Sequence, residues 1–252
     1  MGLLPLLAIS PGPSAMQKMY HSLPLSHIVL SLYSPIGHTE FSSGTISTRL
    51  MLILASASPR RQELLRNAGI PFSVQPAHVP EEHRAGEIPE ACVRRLAREK
   101  AEAVGRVVNS EAVILAADTE VVLDLARGTP LGKPRDERDA VEMLKMLSGK
   151  THYVITGVCL RWRSKNSQWQ SRDAAETTLV QMRQISNDEI EEYVATGEPM
   201  DKAGAYAIQG IASRWIPRIE GCYFNVVGLP VPLVYRMLRE NVPQMLQNHR
   251  AS

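Results

Sequence analysis

Little in this chain points outward. Its 252 residues hold three cysteines, Cys92, Cys159 and Cys222, odd in number and far apart. They suggest neither a disulfide framework nor a zinc site, and a reducing cytoplasm fits. Aromatic residues make up 5%, and Trp162, Trp169 and Trp215 form no stacking stripe with interleaved basic residues, so a nucleic-acid partner is not expected. The 28 basic and 26 acidic residues leave a formal net charge of +2, which gives no bulk attraction to nucleic acid or to a membrane surface. No apolar run reaches membrane-spanning length. The seven histidines, His78, His83 and His152 among them, show no metal-ligand spacing and read as structural or solvated. There is no internal repeat. What remains is a chain 44% hydrophobic, long enough for one large domain or two small ones with a sizeable core.

Residues 1–50 are poor in charge, with only Lys18, Glu40 and Arg49, and rich in Pro, Ser and Gly, as in Ser10-Pro11-Gly12-Pro13-Ser14. The short apolar start is interrupted by Pro5 and lacks a basic segment, so secretion is not expected. This stretch reads as a disordered N-terminal extension, or as one preceding a true start at Met51. The second segment, 51–247, reads as the functional domain.

That segment is organised around Leu52-Ile53-Leu54-Ala55-Ser56-Ala57-Ser58-Pro59-Arg60-Arg61-Gln62-Glu63-Leu64-Leu65. A short apolar run of the buried-strand kind ends in Ser56 and Ser58, and Pro59 suits the first helical position with Ser58 as its N-cap. Free backbone N–H groups, two hydroxyls and two guanidiniums then meet at one helix mouth. That pattern suits phosphate, because Arg binds phosphate oxygens in a bidentate fork.

Downstream, Phe72-Ser73-Val74 reads as a short strand and about 89–105 as a helix with Cys92, Leu96, Ala97, Ala101 and Val104 at helical spacing. Val113–Ala117 is a buried strand that delivers Asp118-Thr119 at its end and resumes as Val121-Val122-Leu123. A turn through Arg127-Gly128-Thr129-Pro130 leads to Leu131-Gly132-Lys133-Pro134, and Asp136 caps the next helix. Residues 151–162 and 174–183 read as two long strands joined by the polar loop Arg163–Arg172. Ser186-Asn187-Asp188-Glu189 opens a helix with a capping box. Short strands are expected at Ser213–Ile216 and Tyr223–Val227, and a last helix from Pro230 to about Glu240. Alternating strands and helices with two long neighbouring strands imply an α/β fold with a mixed β-sheet.

These pieces together resemble the Maf family of nucleotide pyrophosphatases. The resemblance rests on Ser56–Leu65, Leu96-Ala97-Arg98-Glu99-Lys100-Ala101, Ala117-Asp118-Thr119, Gly132-Lys133-Pro134-Arg135, Leu147-Ser148-Gly149, Asp201–Gly210 and Gly228-Leu229-Pro230, in the family's order and covering 51–240. Residues 1–50 have no counterpart. Asp118-Thr119 and Asp201-Lys202-Ala203-Gly204-Ala205-Tyr206-Ala207-Ile208-Gln209-Gly210 are similar to the branch that hydrolyses dTTP and UTP rather than the 7-methyl-GTP branch. Ala207 stands where Gly is usual; a positive φ there would cost about 1 kcal/mol.

The resemblance implies an elongated mixed sheet flanked by helices, with two lobes and a central cleft, as in inosine triphosphate pyrophosphatases. It implies attack of water between the α and β phosphates, giving a nucleoside monophosphate and pyrophosphate. A triphosphate calls for cations, a divalent metal (Mg²⁺ or Mn²⁺) and a carboxylate. Asp118 is the expected catalytic carboxylate. Ser56, Arg60, Arg61, Lys100 and Lys133 are expected on phosphate, and Glu81 with Asp118 on the metal. Arg60, Thr119 and Gln209 are expected to set base preference. A Gln amide donates and accepts at once, which suits the O4/N3–H edge shared by thymine and uracil. A cytoplasmic enzyme is expected, with no nucleic-acid or membrane partner. The resemblance also points to a homodimer, for which the sequence itself supplies no argument. The alternatives are the same chemistry on another base (7-methyl-GTP or a modified pyrimidine), a nucleotide-binding regulator of septum formation, or an unrelated phosphate-binding domain.

Overall fold

The computed structural model describes residues 50–108, 112–126, 130–164 and 166–247. The expected extension, and the turn at Arg127–Thr129, lie outside the described residues. Six strands form one sheet in the order β2-β1-β3-β4-β5-β6. They are β1 (Met51–Leu54), β2 (Phe72–Val74), β3 (Ala112–Val122), β4 (Thr151–Arg163), β5 (Trp169–Gln181) and β6 (Arg218–Glu220). β1 is parallel to β2 and β3, whereas the β3–β4, β4–β5 and β5–β6 pairs are antiparallel. The sheet is therefore mixed, as expected from the two long neighbouring strands.

Period-two alternation sorts the strand residues between two faces. Against one face lies the helix α2 (Pro89–Val107), whose Ala97, Ala101 and Val104 pack on Ile53, Ile114, Ala116 and Cys159. The other face carries two apolar clusters. Leu64 and Leu65 of α1 (Pro59–Asn67) and Leu233, Val234, Met237 and Leu238 of α6 (Val231–Asn241) cover Leu52, Leu54, Val113, Leu115 and Val158. Further along, α3 (Glu137–Leu147) and α4 (Asn187–Ala195) enclose Val121, Val154, Val180, Tyr193 and Trp215. Between the clusters runs one polar row, Thr119 opposite Thr156. Two apolar lobes with a polar seam between them give the central cleft.

Local rules hold at several ends. Asp136 accepts from Asp139 N at 2.8 Å, and Ser186 with Glu189 forms the capping box. Others are overruled. Ser58 occupies the N-cap position of α1 but makes no side-chain cap; its own N–H donates to Ser56 Oγ at 3.2 Å. β3 runs unbroken through Asp118–Glu120, because β4 pairs with every residue from Val113 to Val122. The hairpin strands reach Arg163 and Trp169, so the loop is shorter than expected. Ile211–Trp215 forms a 3₁₀ turn, not a strand, and the short strand is Arg218–Glu220. Tyr223–Val227 is the helix α5. Its β-favouring side chains lose to tertiary contacts: Asn225 Nδ2 donates to Val154 O at 2.9 Å and Thr178 Oγ1 at 3.0 Å, which pulls the segment into a turn over the sheet. A final short helix, α7, spans Gln244–Gln247. No helix among the described residues is long and apolar enough to cross a membrane.

Candidate active site

β1 stops at Leu54, and its last bond to β3 is Ala55 N to Leu115 O at 2.8 Å. Between that point and Val121, where Leu131 bridges to it, β3 pairs with no strand on this edge among the described residues, so the stretch around Ala117–Thr119 borders open space. The chain fills the rim of that space with the Ala55–Arg61 turn. The opposite rim comes from Leu131–Pro134, pinned by Leu131 N to Val121 O at 2.7 Å, and from Asp201–Gln209. The result is a cleft of about 450 Å³.

The two arginines at the helix mouth have unlike surroundings. Arg61 donates from Nε to Gly228 O (2.8 Å), from Nη1 to Ala117 O (2.9 Å) and Ser56 Oγ (3.2 Å), and from Nη2 to Thr119 Oγ1 (3.0 Å). It ties three segments together and leaves one N–H for a ligand. Burial lowers its pKa, against the charges of Asp118 and Glu81. Arg60 is 28% exposed and meets Asp201 across the cleft, Nη1 to Oδ2 at 3.1 Å. Burial raises the Asp201 carboxyl, but Lys202 and Arg60 outweigh it and hold it below its ordinary range.

On the α2 side of β3, Lys100 is buried and its Nζ sits between two carboxylates, Asp118 Oδ1 at 2.6 Å and Glu81 Oε1 at 2.5 Å. Helix α2 supplies the lysine, strand β3 the aspartate, and the loop after β2 the glutamate. Burial pushes the Glu81 carboxyl up; the hydrogen bond and charge of Lys100, with Lys133 and Arg61, bring it below its usual range. The register pairs Asp118 with Gly157. A methyl group at Gly157 would lie 2.3 Å from the Val93 backbone, so glycine there is what lets α2 come close enough for Lys100 to reach Asp118.

Ser56, Arg60, Arg61, Glu81, Lys100, Thr119, Lys133 and Gln209 all line the cleft; Asp118 does not, and joins them through Lys100, whose Nζ donates to its Oδ1 at 2.6 Å. Their employment differs in detail. The Thr119 hydroxyl is committed to Arg61 and Thr156 (2.9 Å), whereas Lys133 and Gln209 are exposed at the rim. Ala207 does not take positive φ; the left-handed alanine of this segment is Ala205 (φ 58°), beside Gly204 (φ 69°). Sequence reasoning passed over Tyr206, whose hydroxyl meets His152 Nε2 at 2.8 Å beneath the cleft, since neither residue carries a spacing signal.

The family model described as Maf-like protein matches residues 51–241. A dTTP/UTP pyrophosphatase of Koribacter versatilis (strain Ellin345) is 56% identical over 188 residues, spanning 75% of this chain and 93% of that protein. One of Syntrophomonas wolfei subsp. wolfei is 52% identical over 196 residues, 77% and 100% of the two chains. A solved nucleoside-triphosphatase (dITP/XTP pyrophosphatase) from Mycobacterium abscessus aligns at 14% identity and a TM-score of 0.33, over 54% of this chain and 76% of that one, too shallow to carry weight. The match to the family model opens at the first residue of β1 and closes at the last of α6, so the whole site falls inside it, and the chain belongs to the Maf-like family.

Proposed function

We propose that this chain is a nucleoside triphosphate pyrophosphatase that hydrolyses dTTP and UTP to the nucleoside monophosphate and pyrophosphate. The observation that carries the reading is the meeting of Lys100 with Asp118 and Glu81 at one wall of a cleft whose rims hold Arg60 on one side and Lys133 and Gln209 on the other. The triphosphate lies against the α1 mouth, taking donors from Ser56, Arg60 and the backbone N–H groups that start the helix. Arg61 fixes the shape of that mouth. Lys100 and Lys133, both lining the cleft, supply positive charge to the developing anion.

Asp118 accepts the proton of the attacking water through Oδ2, while Oδ1 stays on Lys100. Gln209, which makes no hydrogen bond among the described residues, would read the base edge by donating and accepting at once. Glu81 and Asp118 both meet Lys100 Nζ, and their remaining oxygens are the paired hard donors that would suit Mg²⁺ or Mn²⁺. Bound there, such an ion would neutralise triphosphate charge and polarise the phosphoryl oxygens. The same reading places the enzyme in the cytoplasm, acting on free nucleotides.

The test is pyrophosphate release by the purified full chain with Mg²⁺ or Mn²⁺ over a nucleotide panel. Release from dTTP and UTP, with little from CTP or 7-methyl-GTP, is the expected outcome. Release from none of them overturns the reading.

A further inference from the structure

Two positions beyond Asp118 on the same face of β3 lies Glu120, 5% exposed, and neither of its carboxylate oxygens receives a hydrogen bond among the described residues. A buried carboxylate left in that state is costly. Two further groups face it. His83, in the loop after β2, places Nε2 3.2 Å from Glu120 Oε1, and its Nδ1 lies 3.4 Å from the Sγ of Cys92 in the first turn of α2. One ligand atom from each of the three lies within 4.8 Å of the others. Ligands of a tetrahedral zinc, at its ordinary bond lengths, stand about 3.2–3.7 Å apart. His83 meets Glu120 and Cys92 with different ring nitrogens and offers an ion only one of them, so loading requires its half-exposed ring to move toward the other two ligands.

We propose that His83, Cys92 and Glu120 form a second metal site, for a thiophilic divalent cation such as Zn²⁺, separate from the Asp118–Glu81 pair. The donor set is one sulfur, one imidazole nitrogen and one carboxylate, a mixture that suits zinc and not Mg²⁺. Loading forms three ligand bonds and releases the Cys92 proton to water. The thiolate and carboxylate then balance the ion's two charges inside the fold. Arg95 also touches Cys92 Sγ at 3.5 Å, but its guanidinium is already matched by Glu87 (2.6 Å) and Glu99 (3.2 Å). Burial disfavours the charged forms of the Glu120 carboxyl and the Cys92 thiol, and a cation between them would favour those forms. His83 is 44% exposed, which gives the ion its way in. The three ligands come from loop, helix and strand, so no sequence spacing could announce them. Once bound, the ion would clamp the loop that carries Glu81 to the helix that carries Lys100.

The experiment is titration of the chelator-treated full chain with Co²⁺ alone, followed by Zn²⁺ displacement. One equivalent of Co²⁺ should give a thiolate-to-cobalt charge-transfer band in the near ultraviolet, and Zn²⁺ should remove it. Cys92→Ser should abolish the band, while Cys159→Ser and Cys222→Ser keep it. His83→Gln, at an exposed position that leaves folding intact, should weaken Co²⁺ and Zn²⁺ binding at least about 100-fold, beyond the loss caused by disturbing an outer-shell partner. A folded wild-type chain with no thiolate band overturns the site, as does a band that survives Cys92→Ser. Should Cys92→Ser fail to fold, wild-type affinity in His83→Gln overturns it alone.

Discussion

Replacing Gly157 by Ala adds one methyl group at the place where α2 crosses β4. The new Cβ would stand 2.3 Å from Val93 C and O and 2.6 Å from Arg94 N. Ordinary contact begins at 3.4 Å, so the space is short by 1.1 Å (3.4 − 2.3). The obstacle is helix backbone, which cannot swing aside as a side chain can. The 19 residues of α2 must lift together, partly uncovering Val93, Ala97, Ala101 and Val104. Overpacking of this kind costs about 3 kcal/mol, the upper part of its usual range. For a domain of this size that corresponds to a fall in Tm of about 6–12 °C. The same displacement stretches the 2.6 Å contact of Lys100 with Asp118, and a misplacement near 1 Å can lower kcat by about 100-fold. Thermal unfolding by circular dichroism, read beside kcat for dTTP, measures both. Gly132→Ala, where nothing lies within 4 Å of the added methyl, is the control and should melt within about 2 °C of the parent. If Gly157→Ala also melts within that interval, the close approach of α2 to β4 is not what the structure describes.

Four further outcomes are expected. Asp118→Asn should lower kcat by about 10²–10⁴ with KM little changed; an unimpaired kcat removes Asp118 from the reaction. Arg60→Ala should raise KM and leave Tm nearly untouched, whereas Arg61→Ala, which strands the Ala117 carbonyl and leaves Gly228 O only the Thr119 hydroxyl at 3.4 Å, should cost about 2–4 kcal/mol of stability; equal melting curves would contradict the division. Gln209→Ala should shrink the preference for UTP over CTP by about tenfold, and a uniform loss on every nucleotide would reassign it to loop positioning. His152 is buried with its pKa lowered from 6.5 to about 4, so the unfolded chain takes up the extra proton as pH falls through that window. Stability is thereby lost on acidification, by about 3 kcal/mol between pH 6.5 and 4, and unfolding of His152→Gln, which keeps a partner for Tyr206, should show a correspondingly shallower slope.

The parts of the fold legible in the sequence were those whose signal is local. Val113–Ala117 announces a buried strand by composition, and the spacing of Leu96, Ala97, Ala101 and Val104 announces α2. Asp136 and the Ser186–Glu189 pair mark helix starts because their capping bonds close within three residues. Of the candidate site, the Ser56–Arg61 helix mouth and the Asp118-Thr119 pair were legible in the same way, whereas Glu81, Lys100 and Lys133 were expected from the resemblance to the Maf family. What stayed hidden depends on partners distant in the chain. Asn225 turns its segment into helix by reaching Val154, 71 residues away, and Gly157 matters only because Val93 lies above it. Ser58 looked like a cap until Ser56, two residues back, proved to hold its N–H.

Adjacent arginines at 60 and 61 look interchangeable in sequence, and the geometry of α1 makes them opposites. Successive residues of a helix point about 100° apart, so one side chain turns in toward the Thr119–Thr156 seam while its neighbour faces the open cleft. The inward one donates to the Gly228 and Ala117 carbonyls and to the Ser56 and Thr119 hydroxyls, and these four hydrogen bonds immobilise it. The outward one meets a single carboxylate, Asp201, that is 63% exposed and already shared with Lys202. An ion pair so exposed contributes little, at most about 1 kcal/mol, so an arriving triphosphate can take Arg60 from Asp201 at small cost. It could not take Arg61 without dismantling the mouth of α1. Rigidity and availability are thus divided between two neighbouring guanidiniums, and on the proposed reading that division lets a pre-formed cradle still offer an exchangeable cation to a triphosphate.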